Sequence, residues 1–233
     1  MEKQGSTSRD RGLTAAVAVG FFTLSLAVCG GGNLAAAGKE LPTINVVTND
    51  YARVSTRTLQ EAQEVATRVL SIAGIETRWH QCRESEADSN LGPNPGRLET
   101  AATVFLLIIP RAMAAHWASG TTSLGLAILP GAGKKGDLAY IFYHRVEELA
   151  ATEDASAAQI LGHAMAHEIG HLLLNSNRHS DVGIMQAEWR SEQMESLCSG
   201  RLLFTDIQAR QMRAGVLVRQ TKTGILQAQT TRK

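Results

Sequence analysis

Two histidines, His167 and His171, stand four residues apart with Glu168 beside the first, in the run His167-Glu168-Ile169-Gly170-His171. On a helix of 3.6 residues per turn, this spacing sets the two imidazoles about 40° apart on one face, one turn along. Two nitrogen donors so placed can hold a single divalent metal ion. Glu168 falls about 100° round from His167, where its carboxylate reaches a metal-bound water without becoming a ligand. The chemistry that needs this arrangement is metal-assisted hydrolysis. A zinc ion acidifies the water and Glu168, as general base, takes its proton and passes it to the leaving group. Ala166 and Gly170 are small and are expected to leave room near the metal.

A catalytic zinc has three protein ligands and an open position, so a third donor is required. Beyond Leu174 the chain meets Asn175-Ser176-Asn177. Asparagine tolerates the left-handed conformation that ends helices, which lets the chain turn back and bring His179 to the metal. Asp181, Glu192 and Glu195 remain open as alternative third donors. His163 lies one turn before His167 and is expected to be a packed or cleft-rim histidine. His80, His116 and His144 have no motif around them; Trp189 and Tyr143 are expected in the core, with lining of a cleft as the alternative.

The stretch from His167 to His171, followed by His179 and then by Gly183-Ile184-Met185, resembles the metzincin zinc peptidases. In that family a third histidine follows the helix and a methionine-containing turn lies beneath the metal. The resemblance is specific over Ala166 to Trp189 and architectural over Thr43 to Leu174. It implies Zn2+ as cofactor, His167, His171 and His179 as its ligands, Glu168 as the general base, and a peptide or protein as substrate. The chain departs from the family in several ways. His179 stands eight residues past His171, against roughly six in the family motif. Asn175 stands near the position of the family's turn glycine, Ser180 replaces the acidic residue that often follows the third histidine, and no tyrosine follows Met185.

The elements that must hold these residues read as follows. Thr43 to Thr48 is a strand with Ile44, Val46 and Val47 as its apolar residues. A helix from Thr58 to Ala73 follows, with Thr58 and Glu61 as a capping box and Gly74 as its stop; Leu59, Ala62, Val65, Ala66, Val69 and Ile72 recur on one face. Ile75 to His80 is a second strand, and the crossover makes the pair parallel. Arg83 to Glu99, with its Gly-Pro-Asn-Pro-Gly, is a surface loop. Thr103 to Ile109 is a continuous apolar run, expected as a central strand buried on both faces. Leu124 to Leu129 and Leu138 to His144 read as an antiparallel hairpin, followed by a linker from Glu147 to Asp154. The active-site helix is expected from Ser156 to Leu174, capped by Ser156 with Gln159. Helices at Ser191 to Leu197 and Thr205 to Ala214, the latter capped by Thr205, make a small helical C-terminal part. The fold class is therefore α+β: a mixed twisted sheet of about five strands, with a backing helix and an active-site helix.

The chain has 233 residues, 44% hydrophobic and 19% charged, with net charge +1. That suits one globular catalytic domain, expected to be a monomer. No basic stripe with interleaved aromatics is present, which argues against a nucleic-acid partner. Residues 1–37 stand apart as an export segment, leaving 38–233 as the catalytic domain. Lys3, Arg9 and Arg11 precede an apolar run from Leu13 to Val28, too short for a span of roughly 20 residues but suited to a secretory signal. Two exits stay open: cleavage after Ala35-Ala36-Ala37, or lipidation of Cys29 in a lipobox-like Leu26-Ala27-Val28-Cys29, the only membrane attachment expected. Export makes Cys82 and Cys198 a candidate disulfide. The functional expectation is an exported or envelope-associated zinc endopeptidase. The alternative is a zinc-binding but non-proteolytic envelope lipoprotein or scaffold module.

Overall fold

The computed structural model describes residues 41–81, 102–115, 122–131 and 135–230. The expected export segment with Cys29, Cys82, the loop at Arg83 to Glu99 and His116 lie outside the described residues. In chain order the elements are β1 (Thr43–Asp50), α1 (Thr56–Ile72), β2 (Glu76–Gln81), β3 (Ala102–Ile109) and the short α2 (Arg111–Ala114). Then come β4 (Gly125–Ile128), β5 (Leu138–Phe142), α3 (Tyr143–Thr152), α4 (Ala157–Leu174), α5 (Ser191–Cys198) and α6 (Asp206–Thr230). None of the described helices is long and apolar enough to cross a membrane.

The five strands form one sheet in the order β2-β1-β3-β5-β4. β1 is parallel to both β2 and β3, β3 is parallel to β5, and β4 closes the sheet as an antiparallel edge on β5. This is the mixed α+β sheet that the apolar runs and the crossover imply. The core face carries Ile44, Val46, Val104, Leu106, Ile108 and Ile141, all fully buried. β3 does not bury both faces as expected: Phe105, on the opposite side, is 38% exposed. The helices α1 and α4 stack on the first face only. Among the described residues, the second face gathers just a small cluster of Ile109, Ala114 and Phe142, with Leu107, Leu126 and Tyr140 against it.

α1 starts earlier than its expected box. Ser55, not Thr58, is the cap, its Oγ accepting from the Thr58 N–H at 3.1 Å, and Glu61 pairs instead with Arg57 at 2.8 Å. Its buried stripe is Leu59, Ala62, Ala66, Val69 and Leu70. Ile72, assigned to that stripe from sequence, is 57% exposed, because Leu70 lies on the side of the helix that the sheet covers. Where α1 passes α4 the contact is close. A Cβ on Gly162 would stand 2.5 Å from the Ala62 carbonyl oxygen and 2.6 Å from Val65 Cβ. Gly162→Ala is therefore expected to lower stability by about 1–3 kcal/mol, the usual range for overpacking a tight core. A urea denaturation midpoint equal to wild type would show that the helices separate freely.

The strand expected to run on to His144, and the linker after it, are instead the end of β5 and the helix α3. Tyr143, Val146, Leu149 and Ala150, three to four residues apart, pack inward, and that helical period overrides the alternation. α4 is buried on almost every side, as an all-round apolar helix must be. Ser156 caps it by accepting from Gln159 N–H at 3.4 Å. Asn175 ends it in the left-handed conformation, at φ 50° and ψ 46°. α6 is much longer than expected. Thr205 caps it as expected, and the pair is reciprocal: Thr205 N–H donates to Gln208 Oε1 at 2.9 Å and Gln208 N–H to Thr205 Oγ1 at 3.3 Å. Gly215 then lets α6 press onto the end of α4, where a Cβ would stand 2.4 Å from the Leu173 carbonyl oxygen. Arg213 donates to Ala73 O at 2.6 Å, Arg219 to Leu172 O at 2.5 Å, and Gln220 to Thr43 O at 3.1 Å. Cys198 is exposed; its expected partner Cys82 is outside the described residues.

Candidate metal centre

α4 places the His167 and His171 rings 4.7 Å apart between centroids, with their Nε2 atoms 3.0 Å apart. The segment after the helix fixes how each ring faces. Nδ1 of His167 lies 2.7 Å from the Ile184 carbonyl oxygen, and Nδ1 of His171 lies 2.7 Å from that of Ser176. A carbonyl only accepts, so each Nδ1 carries the proton and each Nε2 is left with a lone pair for a metal. The left-handed turn at Asn175 is what folds Ser176 back under His171.

The same segment carries His179 to the pair. Its ring centroid is 5.5 Å from that of His167 and 4.9 Å from that of His171, and one ligand atom from each of the three residues lies within 4.8 Å of the others. Ser180 N–H donates to Met185 O at 2.8 Å and Ser180 Oγ donates to Val182 O at 2.7 Å. Gln208 Nε2 donates to Ser180 Oγ at 3.1 Å, so the start of α6 anchors this loop. Asp181, Glu192 and Glu195 do not join the cluster and do not line the cavity beside it. Burial lowers the pKa of His167 to about 3, assisted by the neighbouring His171, and lowers those of His171 and His179 as well. The imidazoles are thus held neutral, the form that binds metal. Three converging neutral imidazoles fit zinc, which takes nitrogen donors and leaves a fourth position open in catalytic sites.

Glu168 is 5% exposed and lies on the β4 side of α4. Loss of hydration pushes its carboxyl pKa up to about 8, opposed by a hydrogen bond from the Ala127 main chain. Its Oε2 has no hydrogen-bond partner. β4 comes very close: a Cβ on Gly125 would stand 2.6 Å from both Cγ and Oε1 of Glu168. Gly125 escaped sequence reasoning, though a glycine inside an apolar strand pattern is a known mark of close approach.

Gly170 was expected to make room for the metal. Its bare Cα instead admits the side chains packed beneath the helix, since a Cβ there would stand 2.7 Å from Phe204 Cε1 and 2.8 Å from Met185 Sδ. Met185 is buried under α4, just past the φ 74° turn at Gly183. Trp189 packs on the core and also lines the cavity. Its Nε1–H donates to Ile184 O at 3.2 Å, the carbonyl that holds His167. Tyr143 packs on the core and does not line the cavity. His163 is fully buried, with Nδ1 2.8 Å from Gln159 O and its ring edge-on to Trp189, and it stands outside the cluster of three. His80 Nε2 lies 3.1 Å from Asn45 Oδ1. The cavity itself is about 720 Å³. It runs between β4 and the loop carrying Trp189, with α3 contributing Leu149 and Thr152 and the histidine cluster at its base.

No protein-family model matches this chain, and no curated protein matches it. Solved structures are similar to it, among them these two. One is a zinc-dependent peptidase from Methanocorpusculum labreanum, 16% identical, covering 72% of this chain and 99% of that one, with a TM-score of 0.45. The other is archaemetzincin from Methanopyrus kandleri, 14% identical, covering 76% of this chain and 97% of that one, with a TM-score of 0.40.

Proposed function

We propose that this chain is a zinc-dependent endopeptidase in which His167, His171 and His179 hold the metal and Glu168 is the general base. The observation that carries the reading is the convergence of three imidazoles beside a buried carboxylate with an unpartnered oxygen, at the base of an open cavity. A zinc ion held there supplies Lewis acidity to water and to the scissile carbonyl. The chain's own groups do the rest. The carbonyls of Ile184 and Ser176 fix the tautomers of His167 and His171. With the charge of a bound zinc beside it favouring its ionised form, Glu168, held by Ala127, would take the proton of the attacking water at Oε2 and deliver it to the departing amine. The resemblance of the stretch from His167 to Met185 to the metzincins supports the same assignment and makes Met185 the methionine of the turn. Export through residues 1–37 belongs to this proposal and is supported by the apolar run from Leu13 to Val28 behind Lys3, Arg9 and Arg11.

A non-proteolytic binding module would have no use for a carboxylate so fully stripped of water. The deciding experiment is cleavage of casein and of a mixed peptide library by the purified protein. Hydrolysis is expected to vanish with a zinc chelator and to return on adding zinc. Zinc binding without any cleavage would favour the binding module instead.

A further inference from the structure

We propose that Gly125 is a positioning residue for Glu168: the edge strand β4 lacks a side chain at this point so that the base can lie flat against it. The inference rests on the proposed function for its kinetic part only. Register and geometry carry it. Leu124 O accepts from Phe142 N–H at 2.8 Å, so Leu124 and Leu126 turn their main-chain groups toward β5. Gly125 and Ala127, paired with Ile141 and Ala139, turn theirs outward, away from the sheet. Ala127 spends its outward N–H on the Glu168 carboxylate. Gly125, two residues earlier, is where that side chain crosses the strand. A Cβ there would stand 2.6 Å from Glu168 Cγ, 2.6 Å from Oε1 and 2.7 Å from the Tyr140 carbonyl oxygen. Real carbon atoms do not approach so closely. Glu168 does not swing clear cheaply, because it is 5% exposed and Cγ belongs to the stem of the side chain, not to a mobile tip. Any residue other than glycine must therefore push the carboxylate off its acceptor position or lift β4 away from α4.

The histidine cluster lies outside this contact. None of His167, His171 and His179 supplies one of the three atoms nearest to a Cβ on Gly125. The expected signature is accordingly a loss in kcat with the metal retained, which a general loss of structure would not give.

The test uses wild type, Gly125→Ala, Glu168→Ala and the double variant, with Gly131→Ala as control, since a Cβ on Gly131 meets nothing within 4 Å. Gly125→Ala is expected to lower kcat by about 10²-fold, the scale of an ångström-sized misplacement, with KM and zinc affinity near wild type. The control is expected to keep full activity. Urea denaturation gives a readout independent of activity. Gly125→Ala should lower the midpoint by less when Glu168 is already alanine, because the overlap with Tyr140 O is common to both backgrounds and only the overlap with Glu168 is relieved. Unchanged kcat in Gly125→Ala, a loss of zinc along with it, or equal midpoint shifts in both backgrounds would each overturn the proposal. If the wild type cleaves nothing, the peptidase reading falls, and the urea cycle still decides whether Gly125 makes room for Glu168.

Discussion

Glu168→Gln is expected to keep its zinc and its fold while losing roughly 10²–10⁴-fold in kcat, the usual contribution of a positioned acid–base group. Glutamine is the informative substitution because it preserves shape. Its amide oxygen can still accept from Ala127, and Gly125 still leaves the space it needs. What it cannot do is take a proton. Zinc content should not change, since Glu168 is not one of the residues whose donor atoms converge. Zinc content by atomic absorption and initial rates on one peptide settle the matter together. A variant with full activity would mean that another group receives the proton. A variant that loses zinc would mean that Glu168 is itself a ligand.

His179→Ala is expected to weaken zinc binding by more than about 100-fold, since merely removing a partner of a ligand typically costs 10–100-fold. Two imidazoles remain on α4, but two ligands do not satisfy a tetrahedral ion. The fold should tolerate the change, because His179 sits exposed on a loop that Ser180, Met185 and Gln208 hold without it. Asp181→Ala is the comparison, its carboxylate being only two residues away and outside the cluster. Competition with a chelator of known affinity measures both variants. Zinc retained in His179→Ala and released in Asp181→Ala would transfer the third ligand to Asp181.

The helix carrying His167 and His171, and its end at Asn175, were legible because both follow from local rules: a period of 3.6 residues and the tolerance of asparagine for positive φ. The hairpin of β4 and β5 and the cap at Thr205 were legible for the same reason. Features that depend on distant segments were not. Tyr143 and His144 extend an alternating run, and only the packing of Val146 and Leu149 against the core turns that stretch into α3. The length of α6 was hidden by Gly215 and the β-branched Val216 and Val218, poor helix formers in isolation; contact with the Leu173 carbonyl rewards the glycine. The role of Gly170 was misread because sequence names the residue but not the Met185 and Phe204 side chains that fill the space beneath it.

The hydrogen bonds made by α6 set an order of events for the folding chain. Arg213, Arg219 and Gln220 reach carbonyls at Ala73, Leu172 and Thr43, so α6 closes contacts with segments far earlier in the chain, β1 among them. Two of these contacts join residues 140 and 177 positions apart, and non-local closure is slow. Until α6 docks, the sheet and α4 therefore stay incompletely covered, and the folding chain depends on speed or on protection from aggregation during that interval.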